Sequence, residues 1–123
     1  MAIETLKKRS EFLRLRGGAR FATPAFVVET RPRPAPSAGH AARFGFTVTK
    51  KLGGAVVRNR IRRRLKAAVA LVAPGLAHAD HDYVLVARPA ALDRLFADLK
   101  KDLERALQRV HHPAAATKKD ARP

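Results

Sequence analysis

The stretch KKLGGAVVRNRIRRRLK, residues 50–66, predicts a tight turn that leads directly into a strongly basic amphipathic helix. The Gly-Gly pair at 53–54 supplies the turn, and the Pro-Gly pair at 74–75 ends the helix, which we expect over about residues 55–73. Burial of its apolar side would fix the helix against the domain and expose its charged side. That apolar stripe recurs at helical spacing and consists of Val57, Ile61, Leu65, Ala68 and Val72.

The cationic side chains of this helix repel one another. Five like-charge pairs are three or four residues apart. At roughly 0.2–0.5 kcal/mol each, they destabilise the helix by about 1–2.5 kcal/mol. A polyanionic partner would remove this repulsion, so the pattern favours a nucleic-acid surface over a merely solvated helix face, which usually mixes the two signs. The six cationic residues, with no acidic residue among them, are Arg58, Arg60, Arg62, Arg63, Arg64 and Lys66.

The composition supports the same interpretation. The chain has 123 residues, enough for one domain, and its hydrophobic fraction of 46% suffices for a compact core. The formal net charge is +16, which points to nucleic acid or, less often, to an anionic membrane surface. No Asp or Glu lies between Glu29 and Asp80, so the positive charge is concentrated in the middle of the chain.

Several other classes of protein are disfavoured. The chain has no cysteine, which excludes disulfides and thiolate metal sites and fits a reducing compartment. Residues 1–9 are polar and lack the apolar segment of a secretory signal. No apolar run approaches the ~20 residues that span a bilayer. We therefore expect a cytoplasmic protein that does not bind a membrane.

The remaining pattern predicts a compact single-domain α+β sandwich over residues 1–110, with helices packed on one sheet in the order α-β-β-α-β-α. The unit from 42 to 88 could pair its two strands in parallel around the basic helix. The other expected segments are an extended lead-in at 1–9, a helix at 11–16, strands at 21–30, 42–49 and 82–88, a loop at 31–39, a helix at 90–110, and a disordered basic tail at 111–123.

The strand at 42–49 alternates between apolar and polar side chains. Phe44, Phe46 and Val48 should meet the helices. The opposite face is low and polar, which suits either an extended strand of nucleic acid or an ordinary half-exposed strand. Its members are Arg43, Gly45, Thr47 and Thr49.

The basic helix offers two cationic surfaces and one ambiguous residue. Arg58, Arg62 and Lys66 share one flank of the apolar stripe, while Arg60 and Arg63 share the other. Guanidinium groups bind phosphate in a bidentate manner and stack on bases. Asn59, between the two sets, can donate and accept hydrogen bonds, and Lys50 and Lys51 precede the turn. Arg64 projects onto the apolar flank, so it must snorkel or reach RNA from the side.

These residues resemble the protein subunit of bacterial ribonuclease P. The match rests on Arg58-Asn59-Arg60 in its setting, on residues 44–49 and 82–88, and on Ser10-Glu11-Phe12, and it spans about residues 3–110. The resemblance implies an α+β fold with an unusual left-handed strand–helix–strand crossover. It also implies a partner RNA that, with bound Mg²⁺, removes the 5′ leader of precursor tRNA. The protein would assist this reaction without catalytic side chains of its own. The sequence itself predicts no metal ligated by the protein and no need for a further protein partner.

The resemblance and the charge and strand patterns above together predict the site residues. Arg16 stands where relatives often place an aromatic and Glu29 where some place a tyrosine, so Arg16 would have to stack in its place and Glu29 would repel phosphate. The predicted contacts to the catalytic RNA are Lys50, Lys51, Arg58, Asn59, Arg60, Arg62, Arg63, Arg64 and Lys66. The predicted contacts to the leader, in a cleft between sheet and helices, are Phe12, Arg16, Val27, Arg43, Thr47, Arg62 and Lys66.

Other functions fit the residues less well. Composition alone favours a non-catalytic ribosomal RNA-binding protein, and a DNA-binding helix would carry more mixed polar side chains. A protein nuclease needs clustered carboxylates, but Asp80 and Asp82 flank His81 at a strand entrance without a partner in sequence. His78 and His81 are three residues apart in a predicted loop with no third ligand, and the remaining histidines, His40, His111 and His112, are expected at the surface.

Overall fold

The computed structural model describes residues 4–6, 9–15, 17–32 and 41–111, which form a five-stranded sheet with helical layers. No helix in these ranges is long and apolar enough to cross a lipid bilayer. The strands are β1 (Glu4–Thr5), β2 (Ala19–Ala22), β3 (Phe26–Pro32), β4 (Arg43–Thr47) and β5 (His81–Ala87). The helices are α1 (Arg9–Arg14), α2 (Ala55–Val72) and α3 (Phe96–Val110), with short 3₁₀ turns at Lys50–Leu52, Ala73–Gly75 and Pro89–Ala91.

The sheet is mixed, and its strands lie side by side in the order β1-β4-β5-β3-β2. β4 pairs in parallel with β1 and with β5, while β3 pairs antiparallel with β5 and β2. Because α2 connects β4 to its parallel neighbour β5, the predicted parallel strand–helix–strand unit is confirmed. The hand of this crossover stays a prediction.

The predicted order of elements is wrong in its first half. The chain does not begin with a helix, since β1 precedes α1 and pairs with β4. The single strand predicted at 21–30 is the hairpin β2–β3, because the chain reverses at Thr23, whose Oγ1 accepts the Phe26 N–H at 3.1 Å. The four longer strands and two long helices thus follow as β-β-β-α-β-α.

The last helix also starts later than predicted. It begins at Phe96 rather than at residue 90, because Pro89–Ala91 forms a 3₁₀ turn and Leu95 has extended backbone angles (φ −53°, ψ 137°). Residues 88–95 therefore cross from β5 to α3 as a connecting segment.

One face of the sheet carries the main core. Phe44 and Val48 are buried there and Phe46 packs against them, so the predicted inward set of this strand is confirmed. Ile61 and Leu65 of α2 are almost fully buried in the same cluster, as the stripe predicts. The other contributors include Phe26, Val28, Tyr83 and Leu85 of the sheet and Leu99, Leu103 and Leu107 of α3.

The opposite face carries a smaller apolar cluster under α1. Leu6, Leu15 and Val84 are buried, and Phe12 packs against them. A Cβ at Gly45 would lie 2.5 Å from the Phe12 ring, so any larger residue at this position would force the ring to shift from its place on β4. The expectation of an open polar face along the whole strand is therefore wrong at Gly45, where Phe12 covers it.

A buried ion pair joins β4 to β5. The Asp82 carboxylate is fully buried and receives the Arg43 guanidinium in a bidentate manner, with Nε–Oδ1 at 2.7 Å and Nη2–Oδ2 at 2.6 Å. Arg43 was expected to contact the leader. Its guanidinium pairs with this buried carboxylate, which gives Arg43 a structural role, and its contact with the leader stays a prediction.

Arg64 of α2 is a second structural arginine. Its Nε donates to the Ala91 carbonyl at 3.1 Å, and its Nη2 donates to the Arg94 carbonyl. The Arg94 side chain then pairs with Asp102 of α3, with Nη2–Oδ1 at 3.1 Å. Arg64 therefore lies on the apolar flank of α2, as predicted, and holds the segment between β5 and α3, while its contact with RNA stays a prediction.

Replacing Asp82 tests the ion pair. We expect Asp82→Asn to lower the free energy of unfolding by about 2–4 kcal/mol, because the part-buried Arg43 guanidinium loses the carboxylate charge that it binds. The control Arg20→Ala removes an exposed partner 3.9 Å from Glu29 and should cost less than about 1 kcal/mol. Urea unfolding measures both variants, and equal small losses would contradict the assignment.

Replacing Arg64 tests its role in holding the connecting segment. We expect Arg64→Ala to lower the free energy of unfolding by about 1–3 kcal/mol, because two backbone carbonyls lose their donor. Its exposed neighbour Arg63 should tolerate the same change within about 0.5 kcal/mol. If thermal and urea unfolding show the same loss for both variants, the structural role of Arg64 is wrong.

Candidate nucleic-acid interface

The start of α2 presents most of the predicted RNA contacts on one continuous surface. Burial of Ile61, Leu65, Ala68 and Val69 turns the intervening side chains outward. We call the resulting surface the basic face. Lys50, Lys51, Asn59, Arg60, Arg63 and Lys66 are exposed, and the half-buried Arg58 and Arg62 complete it.

The turn before α2 requires glycine. Gly53 has φ 142°, in the region that L side chains rarely adopt, and a Cβ there would lie 2.9 Å from the Val57 side chain. Gly54 provides no side-chain cap, and the first turn of α2 holds no acidic residue. The N–H groups at this end of the helix therefore keep their positive potential beside Lys50 and Lys51.

Two internal hydrogen bonds orient the half-buried arginines. Arg58 Nε donates to the Gly53 carbonyl at 3.1 Å, which holds the guanidinium over the turn. Arg62 Nη1 donates to Asn59 Oδ1 at 3.1 Å. Because a guanidinium has several N–H donors, each arginine keeps others for a phosphate, and Asn59 keeps its amide donors. The side chains of the basic face are thus partly positioned before a ligand arrives.

The basic face has no acidic neighbour to neutralise it. In the part of the chain that the structure describes, the ion pairs join Arg20 to Glu29, Arg43 to Asp82, and Arg94 and Arg105 to Asp102, and none involves α2. The charge of the helix is therefore available to an external anion. This separation of charges carries the functional interpretation below.

A second surface lies on the sheet face that carries α1. Val27, Val86 and Thr47 are in register across β3, β5 and β4, and all three are half-buried. We call them the sheet row. Phe12 and Val86 both pack at the border of the small apolar cluster, so the ring lies beside the row. The structure therefore brings Phe12, Val27 and Thr47, all predicted leader contacts, to one face.

Sequence reasoning missed Val86 as a member of this surface. The run from Val84 to Ala87 is apolar at every position, so the sequence gives no signal of which side chain faces which layer. The pairing with Val27 and Thr47 supplies that information.

The other predicted leader contacts are distributed differently. Arg43 lies at the opposite end of β4, about 13 Å from Thr47 at strand spacing, and is paired with Asp82. Arg62 and Lys66 belong to α2, which packs on the face of the sheet opposite the sheet row. β4 ends at Thr47 and continues through the 50–54 turn into α2, so the sheet row and the basic face are joined around that end of β4. Arg16 lies outside the described residues.

Glu29 lies on the same sheet face, two residues from Val27. Its Oε2 is 3.9 Å from Arg20 Nε across the β2–β3 hairpin. Arg20 therefore offsets part of the repulsion that Glu29 was expected to exert on a phosphate.

A group of three histidines lies apart from both surfaces. The expectation that His78 and His81 lack a third partner is wrong, because His111 at the end of α3 brings its ring nitrogen within 4.8 Å of theirs. His111 was also expected to start a disordered tail, yet it is half-buried and bonded to the Tyr83 hydroxyl at 2.6 Å. Residues 112–123 lie outside the described residues. Burial raises the pKa of Tyr83 to about 12, so its hydroxyl stays protonated.

Comparisons with known proteins agree with this geometry. The chain is 43% identical over 112 residues to the ribonuclease P protein component of Ruegeria pomeroyi, an alignment that covers 90% of this chain and 89% of that protein. It is 46% identical over 107 residues to the Brucella suis protein component, covering 83% and 76%.

Solved structures show the same fold. The Thermotoga maritima RNase P protein superposes with a TM-score of 0.72 at 25% identity and covers 86% of this chain and 96% of that one. The Staphylococcus aureus RNase P protein gives 0.68 at 30% identity, covering 85% and 92%. The family model described as Ribonuclease P matches residues 2–111. The chain therefore belongs to the ribonuclease P protein family.

Proposed function

We propose that the basic face of α2 docks the catalytic RNA of ribonuclease P, and that the sheet row with Phe12 receives the 5′ leader of precursor tRNA. Family membership makes the chain the protein subunit of this tRNA 5′-processing endoribonuclease, in which it assists catalysis by the RNA. The observation that carries the assignment of surfaces is the cationic helix without an acidic neighbour in the described ranges. The ribosomal and DNA-binding alternatives do not fit the family match.

The two surfaces suit different parts of the substrate complex. Arg60 and Arg63 offer guanidinium donors and Lys66 offers an ammonium group, and all three side chains are exposed. Such groups bind phosphates without regard to base sequence. The sheet row is narrow and mainly apolar, and Phe12 offers a ring edge or face to a base of an extended strand. A leader lying on the row would pass around the end of β4 toward Arg62 and Lys66, both of which are predicted leader contacts.

Mg²⁺ is proposed to act through the RNA. Mg²⁺ prefers oxygen ligands such as carboxylates, and the buried carboxylates of Asp82 and Asp102 are each committed to arginine partners. The ion, when bound by the RNA, supplies the activated water for phosphodiester hydrolysis. The residues of this chain bind and orient the RNA partners.

Three further expectations belong to this proposal. The protein acts in the cytoplasm, it needs no other protein partner, and its β4–α2–β5 crossover is left-handed. The first two are supported by the cysteine-free basic composition and by the family match, and the third by the likeness to solved members of the family.

The direct test of function is precursor-tRNA cleavage by the cognate RNA with and without this protein. We expect the protein to raise the cleavage rate most at low Mg²⁺, and RNA affinity to fall steeply with salt through counterion release. Arg60→Ala and Arg63→Ala should each reduce the slope of log affinity against log salt by about one contact. Lys101→Ala, an exposed cation on α3, is the matched control and should keep the slope. If Arg60→Ala and Arg63→Ala keep the same slope as the parent chain and Lys101→Ala, the RNA contacts lie elsewhere.

The leader assignment is tested by placing a negative charge in the sheet row. We expect Thr47→Asp and Val27→Asp to weaken binding of leader-bearing precursor tRNA to the holoenzyme by about 10-fold, through repulsion of the leader phosphates. Binding of mature tRNA should be unchanged, because it lacks the leader. Leu71→Asp, on an exposed side chain of α2 that belongs to neither surface, is the control. Equal losses for both RNAs would contradict the assignment.

A further inference from the structure

Three imidazoles converge where the loop before β5, the start of β5 and the end of α3 meet. A ring nitrogen of each of His78, His81 and His111 lies within 4.8 Å of the others. The rings of His78 and His111 are stacked, with centroids 3.6 Å apart, and His81 meets both edge-on at 5.4 and 5.1 Å. Neither the basic face nor the sheet row includes these residues, so the cluster has no part in the function proposed above.

The fold, rather than chance exposure, brings these rings together. Asp80 adopts a left-handed backbone conformation (φ 64°), which aspartate tolerates better than most residues, and this turn places His81 beside His78. α3 delivers His111 because the preceding Val110 is buried in the main core. The buried Tyr83 then ties two members together: its hydroxyl accepts the His78 backbone N–H at 2.8 Å and bonds His111 Nε2 at 2.6 Å.

We propose that His78, His81 and His111 bind one divalent transition-metal ion, with Zn²⁺ as the reference ion and the fourth coordination position open to water. Imidazole nitrogens suit Zn²⁺ and its neighbours such as Co²⁺, Ni²⁺ and Cu²⁺, whereas Mg²⁺ prefers oxygen ligands. The proposed site, with nitrogen ligands, therefore differs chemically from the oxygen-ligand sites in which RNA would hold Mg²⁺. Three protein ligands plus water is a common arrangement for zinc sites with an open position.

The hydrogen bonds around the cluster leave one ring nitrogen for the metal in each of two histidines, His81 and His111. His81 Nδ1 lies 3.1 Å from the Ala79 carbonyl, so it donates its N–H there and Nε2 keeps its lone pair. In the tautomer in which His111 Nε2–H donates to the Tyr83 hydroxyl, Nδ1 keeps its lone pair for the ion. Metal-bound histidines usually have such a partner on the second nitrogen, which orients the ring.

Coordination requires a small, local rearrangement. At a Zn–N distance of about 2.0–2.1 Å, tetrahedral ligand nitrogens are about 3.4 Å apart, closer than the present upper limit of 4.8 Å. A metal ion also lies near the plane of each imidazole that binds it, so the parallel rings of His78 and His111 cannot both bind as they stand. His78 is exposed and can tilt out of the stack, whereas His111 is held by Tyr83.

The bound ion would cross-link the C-terminal end of α3 to the start of β5. The cluster follows the C-terminal end of α2 at Val72, which lies about 14 Å from Arg63 and about 21 Å from Arg58 along the helix axis. Metal binding should therefore stabilise the native fold without entering the RNA surface. The proposal does not depend on the assignment of the two RNA surfaces.

The test uses the full chain after treatment with a chelator, without RNA. We expect calorimetric titration to give one Zn²⁺ per chain, and Co²⁺ to give the intense visible absorption of a four-coordinate site. Excess Zn²⁺ at about 100-fold above Kd should raise Tm by more than about 5 °C, and Mg²⁺ at the same concentration should not.

Variants that keep an aromatic ring separate metal binding from packing. His81→Phe and His111→Phe should each weaken Zn²⁺ binding by at least about 100-fold, since loss of an outer partner alone typically costs about 10–100-fold. His40→Ala removes a histidine that the site does not use and should bind Zn²⁺ like the parent chain. His81→Phe should also leave precursor-tRNA cleavage by the holoenzyme unchanged. His81 is half-exposed, so this variant keeps the test decisive even if His111→Phe fails to fold.

Three results would overturn the proposal. The first is the absence of saturable Zn²⁺ or Co²⁺ binding to the parent chain. The second is equal affinity in the parent chain and in His81→Phe. The third is a Tm that rises equally with Mg²⁺ and Zn²⁺. Any of them would leave the three rings as an aromatic packing cluster that caps α3.

Discussion

The burial of the apolar stripe of α2 is the interaction on which the rest of the structure depends. Ile61 and Leu65 are almost fully buried between the sheet and α3. Each such side chain contributes about 1.5–3 kcal/mol, which together exceeds the ~1–2.5 kcal/mol of repulsion among the cationic residues. Packing of the core therefore fixes the cationic side chains close together on the outer side of α2. An RNA docked on the basic face, as proposed, would meet a surface whose charge repulsion is already offset by burial of the apolar stripe.

The buried faces of elements whose apolar residues recur at a short, regular spacing could be predicted from the sequence. The helical spacing of α2 and the alternation of Phe44, Phe46 and Val48 correctly gave the faces that meet the core. Features set by distant pairing could not. β1 has two residues, too few for any period to be visible, and it exists because β4 offers an edge. The hairpin at Thr23 was missed although Pro24 marks the turn, because a proline also fits the start or the edge of a single strand.

The same distinction separates the side chains of the site. Arg60 and Arg63 were assigned correctly to the exposed side because helical position alone decides it. The local sequence does not distinguish Arg43 and Arg64 from these exposed arginines. Their partners, Asp82 and Ala91, are 39 and 27 residues away along the chain. His111, likewise, meets His81 only because α3 folds back to the sheet. Charge pattern predicts where cations are concentrated, and tertiary packing decides which of them are internal.

The contact between Gly45 and Phe12 couples the evolution of two positions that are distant in sequence. No side chain fits at 45 while the aromatic ring lies 2.5 Å from the place its Cβ would take. A lineage that acquires a larger residue at 45 must therefore move or replace the ring at 12, and a lineage that keeps the ring in its present place must keep glycine. Because α1 has only six residues and is anchored through this ring, the two positions should covary among homologues as a pair.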